Sequence, residues 1–110
     1  MDLIEREVGG ATVLQLTGRL TVNDRPGMLK GAVADAVDRG ARRVVLDLSS
    51  VRYIDSTRLG EVIAAHVSLS RVGGQLRLAA TAARIAELFA MAGLDGVFAR
   101  YPSVDDAVRD

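Results

Sequence analysis

The segment from Arg43 to Leu48 is a short, nearly continuous apolar run between polar flanks. A strand that is covered on both faces in the middle of a sheet has this pattern, because neither of its faces meets water. We therefore expect this segment to be the central strand of a sheet. The segments before and after it decide what kind of sheet that is.

Two β-prone segments precede the central strand, from Leu3 to Val8 and from Ala11 to Thr17. The dipeptide Gly9-Gly10 between them is a two-residue hairpin signal, so the chain is expected to open with an antiparallel pair. Two more strands are predicted after the central one, from Gln75 to Ala79 and from Val97 to Tyr101.

Three longer segments carry apolar residues at helical spacing. The first follows Pro26, a residue favoured in a first helical turn, and stops at Gly40. A loop from Ser49 to Ile54 is expected before the second helix, which ends near Gly73-Gly74. The apolar faces of the three helices are expected to consist of Leu29, Ala32, Val33, Ala36 and Val37, of Leu59, Val62, Ile63 and Val67, and of Ile85, Leu88, Phe89 and Ala92.

A short fourth helix is expected at the end of the chain, where Ser103 and Asp106 have the spacing of a capping box. The whole order predicts an α/β fold: a mixed β-sheet of about five strands with about four α-helices packed against it. Its alternating second half implies parallel pairing. With 110 residues the chain has the size of one domain, residues 1–110. Whether all helices cover one face of the sheet, leaving the other to polar residues or to the hairpin, stays open.

Composition excludes several classes of function. Lys+Arg and Asp+Glu are both 14, so no net charge attracts nucleic acid. No run approaches the roughly 18 apolar residues of a membrane span, and no signal peptide is visible, so a cytoplasmic protein without direct membrane insertion is expected. Without cysteine and with His66 as the single histidine, no metal site is expected. The chain also lacks a phosphate-binding loop, so we expect no cofactor and no enzymatic activity.

The stretch from Asp47 to Gly60 is the most informative part of the sequence. It contains Asp47-Leu48, then Tyr53, then Asp55-Ser56-Thr57-Arg58-Leu59-Gly60. This resembles the STAS domain of anti-sigma factor antagonists, whose signature is a strand ending in Asp-Leu, a short loop with an aromatic residue, and Asp-Ser-Ser/Thr-Gly-Leu-Gly opening a helix.

The resemblance extends beyond that motif. The segment from Val72 to Leu78 is similar to the family's glycine turn and following strand, and the segment from Leu88 to Leu94 to its third helix and turn. Matches in the same order run from Gly18 to Val108. The resemblance therefore implies a single STAS-like domain.

The resemblance implies a phosphorylation-controlled switch. In the family the first serine after the aspartate, here Ser56, is phosphorylated by an anti-sigma factor serine kinase, and a PP2C-like phosphatase resets it. The unmodified protein binds the kinase and frees a sigma factor. Thr57 is the second candidate for phosphorylation. The alternative within the family is a non-switching STAS subunit of a larger assembly, such as a stressosome-like scaffold or a lipid transporter, and the resemblance also leaves a homodimer open.

The chemistry of a helix start agrees with this reading. Free backbone N–H groups and the positive end of the helix dipole favour an added phosphate of about −1.5 to −2 charge at Ser56, so phosphorylation need not unfold the domain. From the short string alone, Asp55, Ser56 and Thr57 are also what an ordinary N-cap looks like. Asp47 has two readings as well: a hydrogen bonder that orients the loop, or part of a partner or nucleotide surface.

Two departures from the family pattern change the charge near the switch. Arg58 replaces the usual glycine and either pairs with a phosphate on Ser56 or crowds the kinase. Arg19 and Thr21 stand where better-known members have Glu and Asp, and we hypothesise that Asn23 and Asp24 replace the missing acidic group. The expected partner-binding surface consists of Thr21, Asn23, Asp24, Asp55, Ser56, Thr57, Arg58 and Gly60.

Overall fold

The computed structural model describes residues 2–20, 27–94 and 96–109. Five strands and four helices lie in these ranges, in the predicted order. They are β1 (Asp2–Val8), β2 (Ala11–Leu20), α1 (Met28–Asp38), β3 (Arg43–Ile54), α2 (Ser56–Arg71), β4 (Gln75–Ala79), α3 (Ala83–Met91), β5 (Ala99–Tyr101) and α4 (Val104–Val108).

The five strands form one sheet in the order β1-β2-β3-β4-β5, with β3 in the centre as predicted. β1 and β2 are antiparallel, and Gly9 and Gly10 in their turn have φ values of 57° and 80°. Such positive values are what a two-residue hairpin of this kind requires, and only glycine adopts them without strain. The pairs β2–β3, β3–β4 and β4–β5 are parallel, which confirms the mixed sheet.

The two faces of the sheet have different covers. One face, with Leu14, Leu46 and Leu78, packs against α1, α2 and α3 and forms the main hydrophobic core. The opposite face carries a smaller cluster, in which Val45 packs with Ala107 of α4. The sequence did not decide what covers this second face. In the structure the short terminal helix α4 covers part of it.

The prediction of a loop from Ser49 to Ile54 is wrong, because β3 continues to Ile54. The pairing of β2 with β3 shifts register twice in this stretch, and at each shift β3 has one residue more than β2. Each such bulge breaks the alternation of the strand. Leu48, Val51 and Ile54 are buried at every third position, and that spacing is not typical of a strand.

Helices α1 and α3 agree with the predicted faces except at Ala92, whereas of the four apolar residues expected on the core side of α2 only Val62 is fully buried. Leu29, Val33 and Ala36 are buried in α1, and Ile85 and Phe89 in α3. Val67, expected in the core, is 40% exposed. Ala92, also expected in the core, follows the end of α3 and is exposed.

The ends of the elements differ slightly from the predictions. α1 begins at Met28, and Pro26 lies outside the described residues. β5 begins at Ala99 and is two residues shorter than predicted. The capping serine is confirmed, since the Ser103 hydroxyl accepts the N–H of Asp106 at 3.1 Å.

Candidate partner-binding site

The end of β3 and the start of α2 are fixed by hydrogen bonds of Asp55. Its backbone N–H donates to the carbonyl of Leu20 at the end of β2, at 2.9 Å. Its carboxylate accepts the N–H of Arg58 at 2.8 Å, which makes Asp55 the N-cap of α2. The helix start is therefore held by the aspartate, and the hydroxyl groups that follow it are not needed for capping.

Ser56 and Thr57 are the first two residues of α2, and both are exposed. Within the described ranges the hydroxyl of Ser56 forms no hydrogen bond. It stands at the positive end of a helix of 16 residues, where an added anion is favoured. The expected placement of Ser56, exposed at the beginning of a helix, is confirmed.

Arg58 points away from these hydroxyl groups. The residue is only 4% exposed, and its guanidinium pairs with the carboxylate of Glu61 at 2.9 Å. The other carboxylate oxygen of Glu61 accepts the backbone N–H of Lys30 at 3.1 Å. The N-cap of α1, Gly27, has no side chain to cap it, so Glu61 supplies from α2 the acceptor that α1 lacks. Arg58 and Glu61 thus connect the starts of two helices.

Gly60 lies one turn after Ser56, on the same exposed side of α2. Among the residues that the structure describes, none has an atom within 4 Å of a Cβ atom placed at Gly60. Of the expected surface, the structure brings Asp55, Ser56, Thr57 and Gly60 together and turns the side chain of Arg58 inward. Three expected positions lie outside the described residues: Thr21, Asn23 and Asp24.

A cleft beside the start of α2 was not anticipated from the sequence. We call it the Tyr53 cleft; it has a volume of about 390 Å³. The guanidinium carbon of Arg19 lies over the ring of Tyr53, 4.7 Å from its centroid. The lining residues are Arg19, Tyr53, Arg84, Glu87, Leu88 and Met91.

Tyr53, the aromatic residue that precedes Asp55 in the motif, is 38% exposed. The second bulge of β3 brings it opposite Arg19 in the strand pairing. A bulge re-aims the side chains that follow it, and an apolar spacing of three along β3 was the only sequence signal for it. The cleft therefore results from an irregularity of the strand.

Asp47 and His66 were also named from the sequence, and the structure gives the contacts of each. Asp47 is 5% exposed and accepts the N–H of Ser49 at 3.0 Å beside the first bulge, in agreement with the hydrogen-bonding interpretation. His66 is half-buried in α2, with its ring 5.2 Å from that of Phe98.

Among residues 2–20, 27–94 and 96–109, no group of three His, Cys, Asp or Glu side chains is placed to hold a metal ion. No helix in those ranges is long and apolar enough to cross a membrane.

Comparison with known proteins agrees with this architecture. A sequence profile of the STAS domain family matches residues 3–107. BtrV of Bordetella bronchiseptica, which is named an anti-sigma factor antagonist, is 37% identical over 99 residues, or 89% of this chain and 84% of BtrV.

Two solved structures have the same fold. The crystal structure of an anti-sigma factor antagonist from Mycobacterium paratuberculosis superposes with a TM-score of 0.84 at 26% identity, over 99% of this chain and 94% of that one. The phosphorylated form of SpoIIAA, a Bacillus cell fate determinant, superposes with a TM-score of 0.76, over 97% and 96% of the two chains. At 17% identity the likeness to SpoIIAA shows the fold alone.

The profile match over residues 3–107 agrees with the mixed sheet, the three helices on one face and the capped helix start after the central strand. The chain belongs to the STAS domain family, within its group of anti-sigma factor antagonists.

Proposed function

We propose that this protein is an anti-sigma factor antagonist that is switched off by phosphorylation of Ser56. In its unmodified form it binds an anti-sigma serine kinase and so frees a sigma factor. The kinase transfers the γ-phosphoryl group of ATP to the Ser56 oxygen, which loses its proton, and ADP leaves. A PP2C-like phosphatase hydrolyses the phosphoester and restores the binding form.

The observation that carries this proposal is the exposed hydroxyl of Ser56 at the start of α2. The fold does not use it, because Asp55 caps the helix. A phosphate there adds about −1.5 to −2 charge at a helix N-terminus, a position that tolerates anions. The domain is expected to keep its fold while the surface that a partner meets changes charge.

The proposed binding surface includes Asp55, Ser56, Thr57 and Gly60, together with Thr21, Asn23 and Asp24 from the segment before α1. A phosphate in the middle of such an interface has to be desolvated and meets any acidic group of the partner at short range. Both effects weaken binding by orders of magnitude when no counter-charge is present. We assign Arg58 a positioning role in this surface, since its guanidinium is paired with Glu61.

The test is incubation with ATP and a candidate anti-sigma serine kinase from the same organism, followed by intact mass measurement and peptide mapping. We expect one phosphate, on Ser56. Ser56→Ala should bind the kinase and remain unmodified, whereas the matched variant Thr57→Ala should still be phosphorylated.

A second experiment measures how tightly the kinase binds Ser56→Asp, in which the aspartate mimics the phosphate. This variant should bind the kinase at least about tenfold more weakly than the unmodified protein, with its free energy of unfolding changed by less than about 0.5 kcal/mol. Full affinity of Ser56→Asp would contradict the switch. A protein that binds its partners but never accepts phosphate would be the non-switching STAS subunit instead.

A further inference from the structure

Three of the residues that line the Tyr53 cleft are apolar or aromatic, and the fold leaves them accessible. Met91 is 84% exposed at the end of α3, Tyr53 is 38% exposed, and Leu88 is half-buried. Exposed apolar side chains that line a common depression are typical of interaction sites, and methionine adapts its shape to different partners. This apolar part of the cleft is therefore suited to receive an apolar side chain from another protein.

The charged rim of the cleft is predominantly basic. Arg19 is held in place by its contact with the Tyr53 ring, and Arg84 is exposed in the first turn of α3. Within the described part of the chain, neither guanidinium forms an ion pair. Of the described residues that line the cleft, Glu87 is the one carboxylate. Two guanidinium groups in a cleft that also has apolar lining residues are complementary to carboxylates that flank an apolar side chain.

We propose that the Tyr53 cleft binds an acidic segment of the anti-sigma kinase, whose apolar side chain enters between Tyr53 and Met91. This inference rests on the proposed function and specifies the partner chemistry at one part of the interface. Arg19 and Arg84 select the partner by charge. A kinase with a basic segment at this place would be rejected by the same two residues.

The location of the cleft connects it with the switch. Ser56 follows Tyr53 by three residues, so their Cα atoms are at most about 11 Å apart. The Debye length at physiological ionic strength is about 8 Å, so a phosphate on Ser56 acts most strongly on a segment bound beside Tyr53 at low salt and is increasingly screened from it as salt is added. An acidic segment would be repelled by the new charge. Phosphorylation would therefore weaken the cleft contact without any change in the fold.

The experiment measures the dissociation constant of the kinase complex for the full chain and three variants at low and high salt. Arg84→Glu reverses the charge at the rim, and it places an acidic residue in a first helical turn, where such a residue favours the fold. We expect binding at least tenfold weaker, with a smaller dependence on salt. Met91→Ala removes the exposed apolar contact and should weaken binding about threefold to tenfold.

Arg71→Glu is the matched control. Arg71 is also exposed, but it is the last residue of α2, about 22 Å along the helix from Ser56. The affinity of Arg71→Glu for the kinase should stay within twofold of that of the unmodified protein. Tighter binding by Arg84→Glu would overturn the acidic assignment, because it would indicate a basic partner segment.

Two other outcomes separate this inference from the proposed function. If Arg84→Glu and Met91→Ala bind like the unmodified chain while Ser56→Asp binds weakly, the cleft is not part of the interface and the switch stands. If the unmodified chain neither binds the kinase nor accepts phosphate from it, the proposed function fails and the cleft assignment fails with it.

Discussion

The two sides of helix α2 differ in what their side chains contact. On the inner side Arg58 is buried, pairs with Glu61, and through it reaches the backbone of Lys30 in α1. On the outer side Ser56 and Gly60 are exposed, and a methyl group at Gly60 would meet none of the described residues within 4 Å. Both sets of residues lie within the first two turns of the same helix.

This difference separates the residues that hold the fold from those available to a partner. Substitution on the inner side has to change the free energy of unfolding, because a buried charge loses its counter-ion. Substitution on the outer side has to leave stability nearly unchanged, or to raise it, and to change only what another protein meets. Variants on each side can test whether the two roles are as independent as the contacts indicate.

The largest effect is expected on the inner side, from Arg58→Ala. This change leaves the carboxylate of Glu61, whose side chain is 11% exposed, without its guanidinium partner. Removing one member of a buried pair costs about 3 kcal/mol of the free energy of unfolding. Urea denaturation followed by circular dichroism would measure it.

A double-mutant cycle with Glu61→Gln is the control for Arg58→Ala. The amide oxygen of the glutamine can still accept the Lys30 N–H, and the double variant contains neither the guanidinium nor an unpaired carboxylate. We expect the double variant to lose less stability than the sum of the single variants. Additive losses would show that Arg58 and Glu61 contribute to stability independently, with no coupling energy between them.

An intermediate effect is expected where the two sides meet, at Asp55. Asp55→Ala removes the carboxylate that accepts the Arg58 N–H and should cost about 1 kcal/mol of stability. Asp55→Asn keeps an oxygen in the same place, and asparagine caps as well as aspartate, so its loss should be under about 0.5 kcal/mol. Equal losses for the two variants would mean that the charge of Asp55, and not its capping bond, holds the start of α2.

The outer side of α2 could be predicted from the sequence, whereas the inner side could not. An aspartate followed by two hydroxyl residues before an amphipathic stretch is a local signal for a helix start, and it placed Ser56 correctly. The apolar stripe of α2 was predicted about one position away from its true place, because a charged residue is not expected in a core. The buried positions are Arg58, Val62, Ala65 and Leu69.

The Tyr53 cleft depends on contacts between residues far apart in the sequence. Arg19 and Tyr53 meet only because β2 and β3 pair in parallel with two register shifts, and α3 then adds Met91 from another part of the chain. Turn and helix signals are local, so they determined the strand order and the start of α2. The register of the strands and the bulges depend on which residues pair across the sheet. Local turn and helix signals do not contain that information.

The smallest effect on stability, with a sign opposite to the others, is expected at Gly60. Glycine inside a helix costs roughly 0.5–1 kcal/mol relative to alanine, and no close contact of Gly60 with the described part of the chain requires its small size. Gly60→Ala should therefore stabilise the domain by about that amount and still weaken binding of the anti-sigma kinase, because the new methyl group projects from the proposed interface. Gly31→Ala is the matched control, since Gly31 also lies in a helix with open space around it, beside Leu3 near the edge of the sheet. It should give the same gain in stability with unchanged affinity, and a Gly60→Ala variant that binds as tightly as Gly31→Ala would exclude Gly60 from the interface.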